Sequence, residues 1–361
     1  MVIYEVGGLP LPNLPASFWH AHEMIYGFVC AAIGGFLLTA VPSWTGARGF
    51  GGWPLVVVSS VWLAGRVAFA ASAILPWTVV AACDLAFLPA LAGLLAPPLV
   101  RARNRNTPLL GVLAGIWLTD LAFLYALRIS DVSLARLALL VAIDVILVLI
   151  TVIGGRIVPS FTASALRVRG QSADLRSNPW LDRMVIGAMI AVICSDLLAP
   201  WTAIAGIVAA FAALVQAWRL ARWGSLRTLD EPLVWTLHLA YAWLPIGLAL
   251  KGLYLLTGAS WGAHWLHALT IGVAASMVLA VMTRAGLGHT GRPLVAARSI
   301  ALAYGLLSGA ALVRVFAPSL APAHYRWTIF TSGVLWVIAF ALFLVTYTPI
   351  LVRPRIDSRP G

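Results

Sequence analysis

Seven histidines stand out in a chain that carries few polar side chains. Four of them open two apolar stretches: His20 and His22 begin one, His264 and His267 another. His264 and His267 are spaced i,i+3 and share a helix face, whereas His20 and His22, spaced i,i+2, diverge if helical. Imidazole is the common ligand of zinc, copper and haem iron. A noncovalent haem needs two histidines from different helices facing each other across the macrocycle, and His22 and His267 have that relation. His20, His264 and Glu23 then read as copper ligands or supporting groups, as do His238, near the inner end of the eighth apolar stretch, and His289, just past the ninth. Two histidines on one face would also clamp zinc, although Glu23 is the only obvious carboxylate nearby. The alternative is a set of interfacial histidines bonded to headgroups or backbone.

A second set consists of charges inside apolar runs: the acids Asp84, Asp120, Asp144 and Asp196, and the bases Arg66 and Lys251. Ionisable groups at membrane depth are costly, so they point to a proton relay, a substrate path or mutual pairing. Arg66 and Asp84 lie on adjacent stretches and form the obvious pair. Cys30, Cys83 and Cys194 are far apart, and no CxxC occurs, which excludes a cysteine-ligated zinc or a covalent CxxCH haem. GLGHTG (286–291) fits G-x-G-x-x-G but follows an apolar helix rather than a strand, so it is not read as a nucleotide loop. Gly111-x-x-x-Gly115 is a helix close-packing signal.

The elements that must position these residues follow from composition. Of 361 residues, 61% are hydrophobic and 10% charged, and mean hydropathy is +0.95. A soluble domain has about 25% charged residues, and no soluble core could hide this much apolar surface. The chain reads as an integral membrane protein without an extramembrane domain. Eleven stretches are long enough to span: 20–41, 54–75, 77–98, 109–127, 134–157, 181–198, 201–220, 232–256, 264–283, 297–316 and 326–351. The longest connection is expected at about 157–180. The N-terminus lacks the basic and apolar regions of a signal peptide.

Net charge is +12, which here is topology signal rather than nucleic-acid binding, and no nucleic-acid partner is expected. Connections after odd-numbered stretches carry 18 arginines, from Arg48 through Arg101, Arg167, Arg176 and Arg292 to Arg359. The opposite side carries Arg128, Arg136, Arg314 and Arg326. The positive-inside rule therefore predicts a cytoplasmic C-terminus and an outward N-terminus. The first and fifth stretches end in VPSWTGA and VPSFTAS, and His22, Gly27, Thr45 and Gly46 match His267, Gly272, Thr290 and Gly291 at one ungapped offset. Stretches 1, 5 and 9 run the same way, which suggests a four-helix unit used three times with one leading helix absent from this chain.

Phe18 to Gly46, FWHAHEMIYGFVCAAIGGFLLTAVPSWTG, strongly resembles the opening signature of the NnrS family of bacterial membrane proteins. IGGRIVPSFT (153–162), LHLAYAWLPIG (237–247), LHALTIG (266–272), MTRAGLGHTGRPL (282–294) and TPILVRPR (348–355) are similar to further family segments, in order along nearly the whole chain. The resemblance implies haem and copper, an inner-membrane location and a link to denitrification and nitric oxide stress. It also implies twelve spans, one more than here, and a histidine in the fourth helix of many relatives where this chain has Phe123 to Tyr125. Three sets of four helices resemble the catalytic subunit of haem-copper oxidases, an analogy of fold alone. It breaks at the copper site, where the fifth stretch offers only Asp144.

The expectation is thus an all-α polytopic transmembrane bundle forming one integral membrane domain, 1–361, that holds haem and copper and binds or consumes nitric oxide. The alternatives are a secondary transporter using the buried Asp and Lys residues, or a non-catalytic partner in metal homeostasis.

Overall fold

The computed structural model describes residues 14–171, 175 and 178–356. The N-terminal segment read for a signal peptide (1–13), Arg176 and Arg359 lie outside the described residues. Everything described is helix, turn or coil, with no strand. The main helices are α1 (Ala16–Thr45), α2 (Trp53–Ala70), α3 (Trp77–Arg101), α4 (Leu109–Arg128), α5 (Val132–Val168), α6 (Pro179–Leu198), α7 (Ala203–Ala221), α8 (Pro232–Thr257), α9 (Ser260–His289), α10 (Arg298–Leu320) and α11 (Tyr325–Val352). All but α6 are at once long and apolar enough to cross a membrane. The remaining helix carries Asp182, Arg183 and Asp196; two of these charges are paired, Asp182 with Arg219 and Asp196 with Lys251. The chain is therefore a multi-pass helical membrane protein.

The eleven expected stretches correspond to these eleven helices. One boundary is corrected. α5 runs through Pro159 to Val168, so the expected 157–180 connection shrinks to 169–178. A proline inside a buried membrane helix is tolerated where neighbouring groups satisfy the freed carbonyl. The Gly111/Gly115 signal is corrected too: a side chain at Gly111 would meet nothing, and one at Gly115 only Val145 at ordinary contact distance.

Contacts group into two compact units, residues 1–146 and 147–361. In the first, Gly65 of α2 lies against the backbone of Cys83 and Asp84 in α3; an added Cβ would sit 3.1 Å from the Cys83 carbonyl oxygen. That close approach brings Arg66, the next residue, beside Asp84. α3 is interrupted at Ala86 because Pro89 has no N–H for the Leu85 carbonyl. The Trp117 indole of α4 donates to that carbonyl at 3.0 Å, fixing α4 and its Asp120 next to Asp84.

In the second unit, α7 and α8 cross tightly, with Gly252 against Ala210 and the Gly206 carbonyl oxygen, both 3.0 Å from an added Cβ. α8 meets α9 at Gly272, where a Cβ would fall 2.5 Å from the Trp243 ring.

α1 and α9 share an uncommon local form. Glu23–Val29 and Ala268–Ala275 are π-helical, each beginning at the residue after a histidine, His22 or His267. A π-helix widens each turn and loosens carbonyls for outside donors. Gly27's carbonyl oxygen accepts from the Trp62 indole at 3.0 Å, and Ile271's accepts from the Ser276 hydroxyl at 3.1 Å. Both helices then end alike. Thr45 bonds the Val41 carbonyl and Thr290 the Gly286 carbonyl, and Gly46 and Gly291 turn left-handed at φ 69° and 71°. The repeat suspected from four matched residues thus extends to backbone geometry.

A candidate buried histidine–carboxylate centre

His22 is fully buried, although the sequence placed it at an interface. Its Nε2 lies 2.8 Å from Asp84 Oδ2 and 3.3 Å from Asp120 Oδ1, and its Nδ1 lies 3.2 Å from Glu23 Oε1. Arg66 closes the cluster: Nη1 donates to Glu23 Oε1 at 2.6 Å, and Nη2 donates to Asp84 Oδ1. The expected Arg66–Asp84 pair is therefore present, within a group of five. Aromatic rings wall the imidazole. Phe69 stacks on it with centroids 3.8 Å apart and Phe123 at 5.4 Å, while Tyr26 is tilted at 5.1 Å. Phe123, in the 123–125 stretch where many relatives were expected to carry a histidine, is thus part of that wall.

Charge counting shows what such a centre can do. Three carboxylates face one guanidinium and one imidazole. Even with the imidazole protonated, one negative charge is left over in a dry, low-dielectric setting, where an uncompensated charge is strongly unfavourable. A proton or a metal cation supplies the balance. His22 Nε2, Asp84 and Asp120 each offer one donor atom, all mutually within 4.8 Å. Ligands bound at about 2.1 Å around an ion sit roughly 3.0–3.4 Å apart, close to the two Nε2 separations here. One imidazole with two carboxylates suits a divalent transition ion, and copper in its divalent rather than its thiolate-preferring cuprous state.

A haem does not fit at His22. An axial ligand directs one ring nitrogen at iron, and here both nitrogens face carboxylates and Phe69 covers the ring.

The other expected site residues fall elsewhere. His20 is half-buried on α1, one residue before Ala21 and not part of the cluster. In the second unit His264 and His267 are half-buried with ring centroids 6.5 Å apart, and Tyr325 is 6.4 Å from His264. His238 is not arranged as a metal ligand: Nε2 is 2.8 Å from the Thr162 hydroxyl and Nδ1 is 2.9 Å from the Ser225 hydroxyl. Thr162 already donates to the Val158 carbonyl, so His238 donates from Nε2 and accepts from Ser225 at Nδ1. His289 is exposed at the end of α9. Lys251 is buried on Asp196, with its ammonium 4.9 Å from the centre of the Trp265 ring. Asp144 is fully buried in α5.

Sequence reading missed a buried network around Arg219. Its guanidinium lies over Gly155, where a Cβ would collide with it, and donates to Asp182, the Thr151 carbonyl and the Tyr241 hydroxyl. Tyr241 in turn donates to Gln216 Oε1 at 2.6 Å. The paired glycines of IGGR, opposite an arginine near a helix end, were the available signal.

The family model described as NnrS protein matches residues 1–355. No curated relative matches the sequence. With the match running over essentially the whole chain, this protein belongs to the NnrS family.

Proposed function

We propose that the chain is an NnrS-type metalloprotein of the bacterial inner membrane that acts in nitric oxide stress tolerance or denitrification. In this reading it binds or consumes nitric oxide at a histidine-ligated metal. The observation that carries the proposal is the buried His22–Asp84–Asp120 donor set, inside a cluster whose three carboxylates, Glu23 included, exceed its cations by one charge. Copper is the family cofactor those donors suit. Haem, the other, falls to His267 and His264, the half-buried pair of the second unit. A bound transition ion supplies the orbitals that take nitric oxide. The protein's own residues do the rest: Phe69 and Phe123 exclude water, Glu23 orients the imidazole, and Arg66 holds Asp84 and Glu23 in place. The arginine distribution supports a cytoplasmic C-terminus, which reporter fusions there and at Gly258 test.

Metal analysis and absorption spectra of protein purified in detergent test the cofactors. His22→Ala and Asp120→Asn should lose the copper-type ion and keep the haem bands. His267→Ala should do the reverse, and His324→Ala, in the exposed turn just before α11, should keep both. Nitric oxide should shift the spectrum of the unaltered protein. Full metal retention in both His22→Ala and Asp120→Asn overturns the assignment.

The buried Lys251–Asp196 pair favours a second reading, a proton-coupled transporter. In proteoliposomes, a substrate flux abolished by Lys251→Met in a colourless, metal-free protein would support it over the first.

A further inference from the structure

At the end of the first unit opposite the histidine cluster, the tip of α1 with the residues after it and the tip of α3 border an open cavity of 430 Å³. Thr45, Ala47, Arg48 and Phe50 line one side, and Pro98, Arg101 and Ala102 the other. Asn104 ties the two tips together by donating to the Trp44 carbonyl at 2.8 Å. Two arginines therefore line one cavity, and no Asp or Glu lines it. Neither Arg48 nor Arg101 has a hydrogen-bond or ion-pair partner among the described residues. The sequence offers none nearby, since no Asp or Glu occurs from 24 to 83 or from 85 to 119.

The second unit deals with the equivalent turn differently. There the chain's C-terminal segment backs onto it: Arg355 donates to the His289 carbonyl at 2.8 Å, and the Ile356 N–H donates to the Thr290 carbonyl at 3.3 Å. The Thr45–Gly46 turn instead borders the cavity.

We propose that this cavity binds the phosphate headgroup of an anionic phospholipid. Arg48 and Arg101 supply a forked, permanently charged pair suited to phosphate oxygens. The apolar Phe50 and Pro98 walls, at the ends of two membrane helices, favour a lipid glycerol and acyl start over a free ion. Basic pockets between transmembrane helices recognise such headgroups.

The test uses the full chain, delipidated in detergent and titrated with phosphatidylglycerol, phosphatidylcholine or inorganic phosphate, with binding read by native mass spectrometry. Phosphatidylglycerol should bind in preference to phosphatidylcholine. Each arginine removed should weaken it about fivefold, so Arg48→Gln/Arg101→Gln should bind roughly 25-fold more weakly. Arg167→Gln/Arg222→Gln, which lowers net charge equally on exposed sites elsewhere, should stay within about twofold. Arg48→Lys/Arg101→Lys keeps the charge and should recover part of the binding, so a folding defect in the glutamine variant does not decide the matter. Undiminished phosphatidylglycerol binding by both double variants at 48 and 101 overturns the proposal. So does inorganic phosphate that competes off phosphatidylglycerol at equal concentration.

Discussion

α1 and α9 have the same backbone plan and opposite surroundings. Each carries a histidine followed at once by a π-helix, then a threonine-bonded last turn and a left-handed glycine. Around His22 the neighbours are acids: Glu23, Asp84 and Asp120. The residue corresponding to Glu23, following His267, is Ala268, and the charged group that acts on His264 is Arg314. One Arg314 nitrogen, Nη1, is buried without a hydrogen-bond partner among the described residues. The backbone of the repeat has been kept while the electrostatics of its two histidine ends have parted, one ringed by acids and the other set near an arginine. The fold element supplies a geometry, and the side chains packed against it decide the chemistry.

The largest expected effect separates the two ends by charge. Arg66→Met leaves the buried Asp84 and Asp120 and the half-buried Glu23 with no guanidinium and should cost about 3–5 kcal/mol of stability, seen as a lowered thermal midpoint and folding yield in detergent. Arg66→Met combined with Asp84→Asn should cost less than Arg66→Met alone. Losses that simply add would show that the two side chains are not coupled.

Packing at the matched glycines comes next. Gly272→Ala drives a methyl into the Trp243 ring and should cost about 1–3 kcal/mol. At Gly27 the new methyl meets only Glu23 and Arg66 side-chain atoms, at 3.2 and 3.3 Å, so Gly27→Ala should cost less. The reverse order would show that the glycine of α1, not that of α9, sits in the tighter contact.

Smaller, and equal in both halves, are the effects of Gly46→Ala and Gly291→Ala, at about 1 kcal/mol each, because both glycines hold positive φ. Unequal losses would argue against a shared turn.

The smallest effect lies outside both ends. Arg169 donates to Asp230 at 2.6 Å and holds its carboxyl below the usual carboxylate range. The stabilisation is present above the unfolded carboxylate pKa and disappears as pH falls through the lowered folded value. Because Asp230 is exposed, Asp230→Asn should leave the midpoint at neutral pH almost unchanged and remove only a slight acid sensitivity.

Much of the fold was legible because membrane helices announce themselves by length and apolarity. Every helix from α1 to α11 was placed, and the Arg66–Asp84 pair followed from opposite charges on adjacent spans. Asp120's place beside His22 was not legible, because it depends on the Pro89 break and the Trp117 bond that fixes α4. Nor were the π-helices, since a shift from i−4 to i−5 bonding has no residue signature. Arg219 read as one more topology arginine, because a long side chain near a helix end usually reaches water. The fifth stretch was bounded at 157, although the membrane helix runs on through Pro159 to Val168.

The π-helix of α1 has a consequence for the phase of the whole span. Residues in an ordinary helix advance by about 100° each, and a π-helical stretch absorbs one residue more than its length as an α-helix would need. His22 and the later face of α1, from Cys30 to Val41, are therefore out of step by about one residue. Both Cys30 and Val41 are nonetheless buried, as His22 is. Deleting one residue from 23–29 would restore a regular helix and turn the imidazole about 100° away from Asp84 and Asp120 while leaving Gly34 against Phe87. The extra residue thus acts as a gear offset: it lets one end of the span face the carboxylates while the other end keeps its packing. A π-helical stretch stands at the same place in α9, directly after His267.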